Sequence, residues 1–271
     1  MTDFSVLMSI YDRENPIYLN ACLESLYNQT VRASEVVLVL DGPIKQGLMD
    51  VINKWKLQLN MVLVPLQVNV GLGNALNEGL KACSYELIAR MDTDDLCVPE
   101  RFEKQLAIFK AQPSLAFCGS FIDEIECEST NYIATRYVKE FNDDIIKGGI
   151  SRNPFNHISI MFKKSAVMSV GSYKHMMSME DWYLWLRLLS SGHKGYNIQQ
   201  TLVKARAGKE MMSRRTGLKY VTYEAKLAKQ KAKLFPQYAV KSYFYFIVRS
   251  LPRLLPQKLL YLVYLLSRKI K

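Results

Sequence analysis

Along the first hundred residues, short apolar runs alternate with stretches whose apolar positions recur at helical spacing. Phe4–Ile10 (FSVLMSI), Glu35–Leu40 (EVVLVL), Met61–Leu66 (MVLVPL) and Glu86–Met91 (ELIARM) are nearly continuous apolar runs of strand length. Between them, Asn15-Pro16 opens a helical pattern with Leu19, Cys22, Leu23 and Leu26 on one side. Further helical stretches follow around 46–57 and 73–82. Strands that are apolar at almost every position, separated by helices, predict βαβ units and a parallel sheet buried on both faces. The expected class is α/β with a mainly parallel central sheet. Such sheets bind ligands beyond the carboxyl ends of their strands. Tyr11, Asp12 and Glu14 stand just after the first run, Asp41-Gly42 after the second, Asn69 to Asn74 (NVGLGN) after the third, and Asp92, Asp94 and Asp95 after the fourth.

Residues 99–207 are less regular. Pro99 is expected to open a helix, Leu115–Ser120 reads as a strand, 121–141 as a polar hairpin or insertion, and His157–Phe162 as strand-like. Glu180–Gly192 (EDWYLWLRLLSSG) reads as an amphipathic helix closed by a glycine cap. From Gly217 the character changes: a Lys-rich helical stretch, 218–235, precedes two apolar, aromatic runs, YFYFIV (243–248) and LLYLVYLL (259–266). Pro252 and Pro256 break this region, and neither run approaches the roughly 20 residues that span a bilayer.

Charge divides the chain the same way. Residues 204–271 hold 17 of the 36 Lys/Arg but two of the 25 acids, so they carry about +15 and the rest about −4. A basic segment with short apolar faces and tyrosines suits a helix lying in the interface of an anionic membrane. The five cysteines are scattered without CxxC or Cys/His spacing, which argues against a zinc site or disulfide framework and for a reducing compartment. The N-terminus goes directly into a strand pattern, so no signal peptide is expected.

Two acidic groups carry the candidate chemistry. Hard divalent cations prefer oxygen ligands, often one or two carboxylates plus substrate phosphates, and DTDD (92–95) at a strand end offers them. A solvated turn with helix-capping aspartates would read the same. Glu180-Asp181 opens a helix, where acids are favoured by the dipole; a general base that takes a proton from an attacking hydroxyl would stand there too.

Taken in order, SVLMSIYDRENPIYLNACLESLYNQT, EVVLVLDGP, NVGLGNALNEGL, LIARMDTDDLCVPERFEKQ, NHISIMFKKSAV and MEDWYLWLRL resemble the blocks of the family 2 glycosyltransferases with the GT-A fold, over about residues 4–207. The tail resembles the subgroup that extends lipid-linked repeat units of bacterial O-antigens and capsules. The resemblance implies a GT-A domain over residues 1–212 and a helical, basic, membrane-associating region over 213–271. It implies that Asp41 contacts the uracil of a UDP-sugar, with Ser9, Tyr11, Glu14 and Asn74 around the same donor. Asp92 would contact ribose or sugar, and Asp94, assisted by Asp92 and Asp95, would hold Mn²⁺ or Mg²⁺. Asp181 would be the catalytic base, with Glu180 positioning the acceptor. His157 and Arg214/Arg215 would reach the diphosphate or its metal; a buried structural histidine is the competing reading for His157. The implied reaction inverts the anomeric centre. It carries a hexose from UDP-galactose or UDP-glucose to an N-acetylhexosamine on undecaprenyl diphosphate, through a β-1,3 linkage, at the cytoplasmic face of the bacterial inner membrane. The third block departs from the family where Leu76-Asn77 stands in place of an arginine before the second asparagine, which leaves donor identity open. A dimer built on the apolar tail is the alternative to membrane contact.

Three other readings compete with this one. A nucleic-acid-binding tail would leave the acidic rim without a role, and its apolar runs suit a solvated strand-binding face poorly. A transferase that has lost catalysis is disfavoured by the intact Asp41, Asp94 and Asp181. For another phosphate-handling α/β enzyme, no GxxxxGK[ST] or GxGxxG is present.

Overall fold

The computed structural model describes residues 2–207 and 217–253. Its core is a sheet of order β3-β2-β1-β4-β8-β6-β9-β5, with β7 paired to β6. The strands are β1 (Phe4–Ile10), β2 (Glu35–Leu40), β3 (Met61–Pro65), β4 (Leu87–Arg90), β5 (Leu96–Cys97), β6 (Leu115–Ile125), β7 (Tyr132–Arg136), β8 (Met161–Lys163) and β9 (Lys194–Arg206). Parallel pairing joins β3, β2, β1 and β4, as the βαβ pattern predicts. Because β8 is antiparallel to both β4 and β6, β6 runs the same way as β4, and β9 follows β6 in parallel. The carboxyl ends of β4, β6 and β9 therefore come to one rim, and the strand order reverses beside β1 and β4, where open α/β sheets bind ligands.

Strands β1, β2 and β4 are buried on both faces, whereas β3, at the sheet edge, is only partly covered; successive residues feed opposite sides. Val6, Met8 and Ile10 pack with Leu19 and Leu23 of α1 (Pro16–Tyr27), Ile52 of α2 (Gln46–Trp55) and Phe102 of α4 (Arg101–Ala111). Leu7, Val37 and Val39 pack on the other side with Leu76 of α3 (Leu72–Ala82), Trp185 of α7 (Glu180–Ser190), Ile145 of α5 (Asn142–Ser151) and Val167 of α6 (Lys164–Ser169). Helix α3 lies so close to the sheet that a Cβ on Gly79 would sit 2.4 Å from Leu7 Cδ1 and 2.6 Å from Val39 Cγ2. Gly79→Ala is expected to lower stability by about 1–2 kcal/mol, overpacking outweighing the gain in helix propensity. A urea-unfolding midpoint equal to or above wild type would contradict that close approach.

The structure departs from the sequence expectations in the middle of the chain. Residues 157–159 form a 3₁₀ turn, and only Met161–Lys163 is strand. The turn is fixed by Asn156, whose Nδ2 donates to Ser120 O at 2.8 Å and whose carbonyl accepts from Ser159 N at 2.9 Å. The 121–141 region does form a hairpin, but β6 first runs on to Ile125. Pro99 precedes its helix, which begins at Arg101.

Beyond the sheet, α8 (Gly217–Leu234) and α9 (Ala239–Arg253) form a helical hairpin against α7 and α5. The run 243–248 lies within α9; 259–266 falls outside the described residues, as do Arg214 and Arg215. Among the described residues no helix is long and apolar enough to cross a membrane.

Candidate active site

Strand β4 ends at Arg90, and the chain turns outward immediately after Met91. Asp92, Asp94 and Asp95 thereby reach the rim with ligand atoms all within 4.8 Å of one another. Each is anchored differently. Asp92 accepts from Nη2 of Arg90, an arginine wholly buried in the sheet. Asp95 accepts from the backbone N–H of Arg206, at the end of β9, at 2.8 Å. Asp94 stands between them and lines the cavity. Burial, reinforced by the Asp92 carboxylate, pushes Asp94 up to about 6. Burial and the neighbouring Asp94 push Asp95 well above the usual carboxylate range. Carboxylates forced together against their own repulsion fit a hard divalent cation, and the all-oxygen donor set suits Mg²⁺ or Mn²⁺ rather than zinc.

The triad lines one side of a cavity of about 410 Å³ whose other side carries Glu180 and Asp181. Both acids sit in the first turn of α7, where the helix dipole favours negative charge. Asp181 Oδ2 accepts from Asn153 Nδ2 at 2.6 Å, which fixes the plane of the carboxylate. Burial raises Glu180 above its usual value. The sequence-predicted metal and catalytic groups thus share one cavity, although 85 positions separate Asp95 from Glu180 in the chain.

His157 also lines this cavity. Its Nε2 is hydrogen-bonded to Tyr173 Oη at 2.9 Å, and the carboxylate cluster forms without it. Burial, with Arg90 close by, holds the imidazole well below its usual value, so it is neutral at pH 7. Tyr173 is itself fixed by Asn77, which exchanges two bonds with its backbone at 2.8 and 2.9 Å. Leu76, at the position where the third block departs from the family, lines the cavity wall.

Ser9, Tyr11, Glu14 and Asp41 lie at the carboxyl ends of β1 and β2, on the same rim but outside this cavity. The Asp41 carboxylate accepts from Val70 N at 2.7 Å and Gly71 N at 3.2 Å, holding the loop that opens α3; Asn74 closes the same loop by donating to Val70 O at 3.0 Å. Arg136, at the end of the short β7, and Arg206, at the end of β9, line the same cavity as the triad; nothing local in either strand marks its last residue as a site.

An α/β sheet with an acidic triad at its switch point and a paired carboxylate facing it defines the GT-A-like fold of nucleotide-sugar transferases. The chain belongs to glycosyl transferase family 2, whose profile matches residues 5–177, and is a glycosyltransferase. It is 42% identical over 266 residues to the amylovoran biosynthesis glycosyltransferase AmsE of Erwinia amylovora, covering 98% of this chain and 99% of that protein. It is 39% identical over 223 residues to an Escherichia coli UDP-Gal:alpha-D-GlcNAc-diphosphoundecaprenol beta-1,3-galactosyltransferase, covering 82% of this chain and 81% of that one. The mannosyltransferase PcManGT of Pyrobaculum calidifontis, solved with GDP-Man and Mn²⁺, shares the fold with a TM-score of 0.64 at 14% identity, over 97% of this chain and 79% of that chain.

Proposed function

We propose that the protein is an inverting, metal-dependent hexosyltransferase of O-antigen or capsular repeat-unit assembly. Its donor is UDP-galactose or UDP-glucose, and its acceptor is an N-acetylhexosamine on undecaprenyl diphosphate, joined β-1,3. The observation that carries this reading is the single cavity that sets Asp92, Asp94 and Asp95 opposite Asp181. The naming of a 39% identical relative for a UDP-Gal donor and a diphosphoundecaprenol acceptor supports the choice of substrates.

Asp181 takes the proton from the acceptor hydroxyl as that oxygen attacks the anomeric carbon. The bond from that carbon to the UDP oxygen breaks on the opposite face, so an α-linked donor gives a β-linked product. Asn153 holds the Asp181 carboxylate in one orientation, and Glu180 beside it hydrogen-bonds the acceptor. A divalent cation held by Asp94 with Asp92 and Asp95 would neutralise charge on the departing diphosphate. Ser9, Tyr11, Glu14 and the loop that Asp41 holds form the nucleotide end of the donor site; Arg136 and Arg206 add positive charge beside the phosphates. UDP release across a panel of UDP-sugars, with a synthetic lipid-linked N-acetylhexosamine and Mn²⁺, tests the assignment. Acceptor-dependent release with one donor, stopped by EDTA, is expected; failure of UDP to bind even with metal would overturn it.

The acceptor lipid places the enzyme peripherally at the cytoplasmic face of the bacterial inner membrane, and α9 is the contact. Val240, Tyr243, Phe244, Ile247 and Leu251 recur at helical spacing along it and are all exposed, Val240 by 85% and Leu251 by 61%. Full-length protein is expected to float with vesicles containing phosphatidylglycerol. Changing Phe244 and Ile247 together to Asp is expected to weaken that partition at least tenfold, since each buried side chain contributes about 1.5–3 kcal/mol. Undiminished flotation of the double variant would remove α9 from the contact.

A further inference from the structure

A second cavity, of about 580 Å³, lies between the β6–β7 ribbon and α5. The pleat of the ribbon separates it from the first: Ile122 and Arg136 face the triad, whereas Phe121, Thr135 and Tyr137 face the second cavity. Asp181 lines the first cavity, and its bond to Asn153 links it to the second. Asn153 lines the second cavity, and its Nδ2 is the group 2.6 Å from Asp181 Oδ2. An acceptor whose hydroxyl reaches Asp181 must extend away from the donor and the triad, and on that side Asn153 borders this groove.

Its lining has the chemistry of a sugar phosphate site. Phe121 and Tyr137 meet edge to face at 5.0 Å, and Tyr137 is exposed, offering a ring to the C–H face of a pyranose. Lys139 and Arg152, both exposed, bring two cations to the same groove. Two acids line it as well: Glu140 accepts from Tyr196 Oη at 2.7 Å, and Asp144 is exposed. The α5 wall is tied to α7 and to the C-terminal hairpin through consecutive carbonyls: Trp182 Nε1 of α7 donates to Gly149 O at 2.9 Å, and from the hairpin Lys231 Nζ donates to Ile150 O at 3.0 Å and Arg249 Nη1 to Ser151 O at 3.3 Å. Arg249 belongs to α9, so one wall of the groove is anchored to the helix that bears the exposed apolar stripe.

We propose that this groove is the acceptor site. It holds an N-acetylhexosamine ring against Tyr137 and Asn153, with the anomeric diphosphate on Arg152 and Lys139 and the lipid leading toward α9. The assignment rests on Asp181 as the base and deepens that reading. The test is calorimetric titration of the full-length protein with N-acetylglucosaminyl diphosphate carrying a short alkyl chain, alongside UDP with Mn²⁺. Tyr137→Ala and Arg152→Ala are expected to weaken probe binding at least tenfold, Arg152→Lys to retain most of it, and all three to leave UDP affinity within twofold. An alkyl N-acetylglucosaminide without the diphosphate is expected to bind more weakly and to be indifferent to Arg152→Ala. Inorganic diphosphate, which has the charge without the ring, is expected to bind at least tenfold more weakly than the probe. Probe affinity unchanged in both alanine variants overturns the groove while leaving the donor site standing. So does a wild-type protein that binds UDP with Mn²⁺ but not the probe. If neither ligand binds, the transferase reading fails first and takes the groove with it.

Discussion

Asp181→Asn is expected to lower kcat by roughly 10²–10⁴-fold, the range typical of removing a positioned general base, while UDP affinity in Mn²⁺ stays within about twofold. The substitution keeps the shape of the side chain and its place at the start of α7, and removes only the ability to take a proton. Its partner Asn153 then faces an amide instead of a carboxylate, which reorients to accept the same bond, so the fold is not challenged. The neighbouring acid separates the two roles. Burial raises Glu180 above its usual value, and it is the Asp181 carboxylate that Asn153 orients, which leaves Glu180, on the same cavity wall, to hydrogen-bond a sugar hydroxyl. Glu180→Gln is accordingly expected to act mainly on acceptor KM and to cost much less in kcat. Steady-state kinetics with both substrates varied would decide this. An Asp181→Asn enzyme with near-normal kcat, or a Glu180→Gln enzyme as inactive as it, would reverse the assignment.

The second large effect belongs to the acidic triad. Three carboxylates within 4.8 Å of one another repel, and burial deepens the cost. The sign follows from Asp94, whose value rises from its ordinary range to about 6 on folding. A group that binds its proton more tightly when folded favours the folded state fully at low pH, and that contribution is lost as pH rises through about 6. At pH 7.5 the metal-free site is therefore a source of instability, which a bound cation relieves. Mn²⁺ at a hundred times its Kd is expected to add about 2.7 kcal/mol, raising Tm by several degrees. The shift should shrink at pH 5, where protons compete for the same oxygens. Asp94→Asn should be more stable than wild type in EDTA at pH 7.5 and unmoved by Mn²⁺. Differential scanning calorimetry at the two pH values measures all three, and a wild-type Tm indifferent to Mn²⁺ would rule the triad out as a metal site.

Some of this was present in the order of residues. Strands β1, β2 and β4 were legible because a strand buried on both faces needs apolar residues at nearly every position, and EVVLVL has them; β3 carries the same kind of run although it is half-exposed at the sheet edge. The triad was legible because its members are neighbours in the chain, so one turn after β4 is enough to assemble them. EDWYLWLRL was legible as a helix, but not as the amphipathic one its pattern suggested: α7 is buried on nearly every side, continuously from Leu184 to Leu189, because it lies between the sheet and the C-terminal helices. Strand β9 was not read, because KGYNIQQTLVKAR is buried in patches beside β6 and looks half-polar in isolation. Helix α5 was missed for a related reason: its three apolar positions, Ile145, Ile146 and Ile150, set among Asp, Lys and two glycines, are too few to declare a face. The run 157–162 looked like a strand because its composition is strand-like, but side-chain bonds from Asn156 to a neighbouring strand fold its first half into a turn.

What composition and spacing settled, then, was local: where the chain is buried, and which charges stand beside one another along it. The distances that matter for chemistry were decided across the fold. Asn153 meets Asp181 from 28 residues away, Arg206 N–H reaches Asp95 from 111, and the Asp41 carboxylate closes on Val70 from 29. The wholly buried Arg90, beside the strand pair β4–β8, donates to Asp92. A sequence records each residue's own preferences. Hydrogen bonds between distant residues depend on the packing of helices against both faces of the sheet, and that packing is a property of the whole chain.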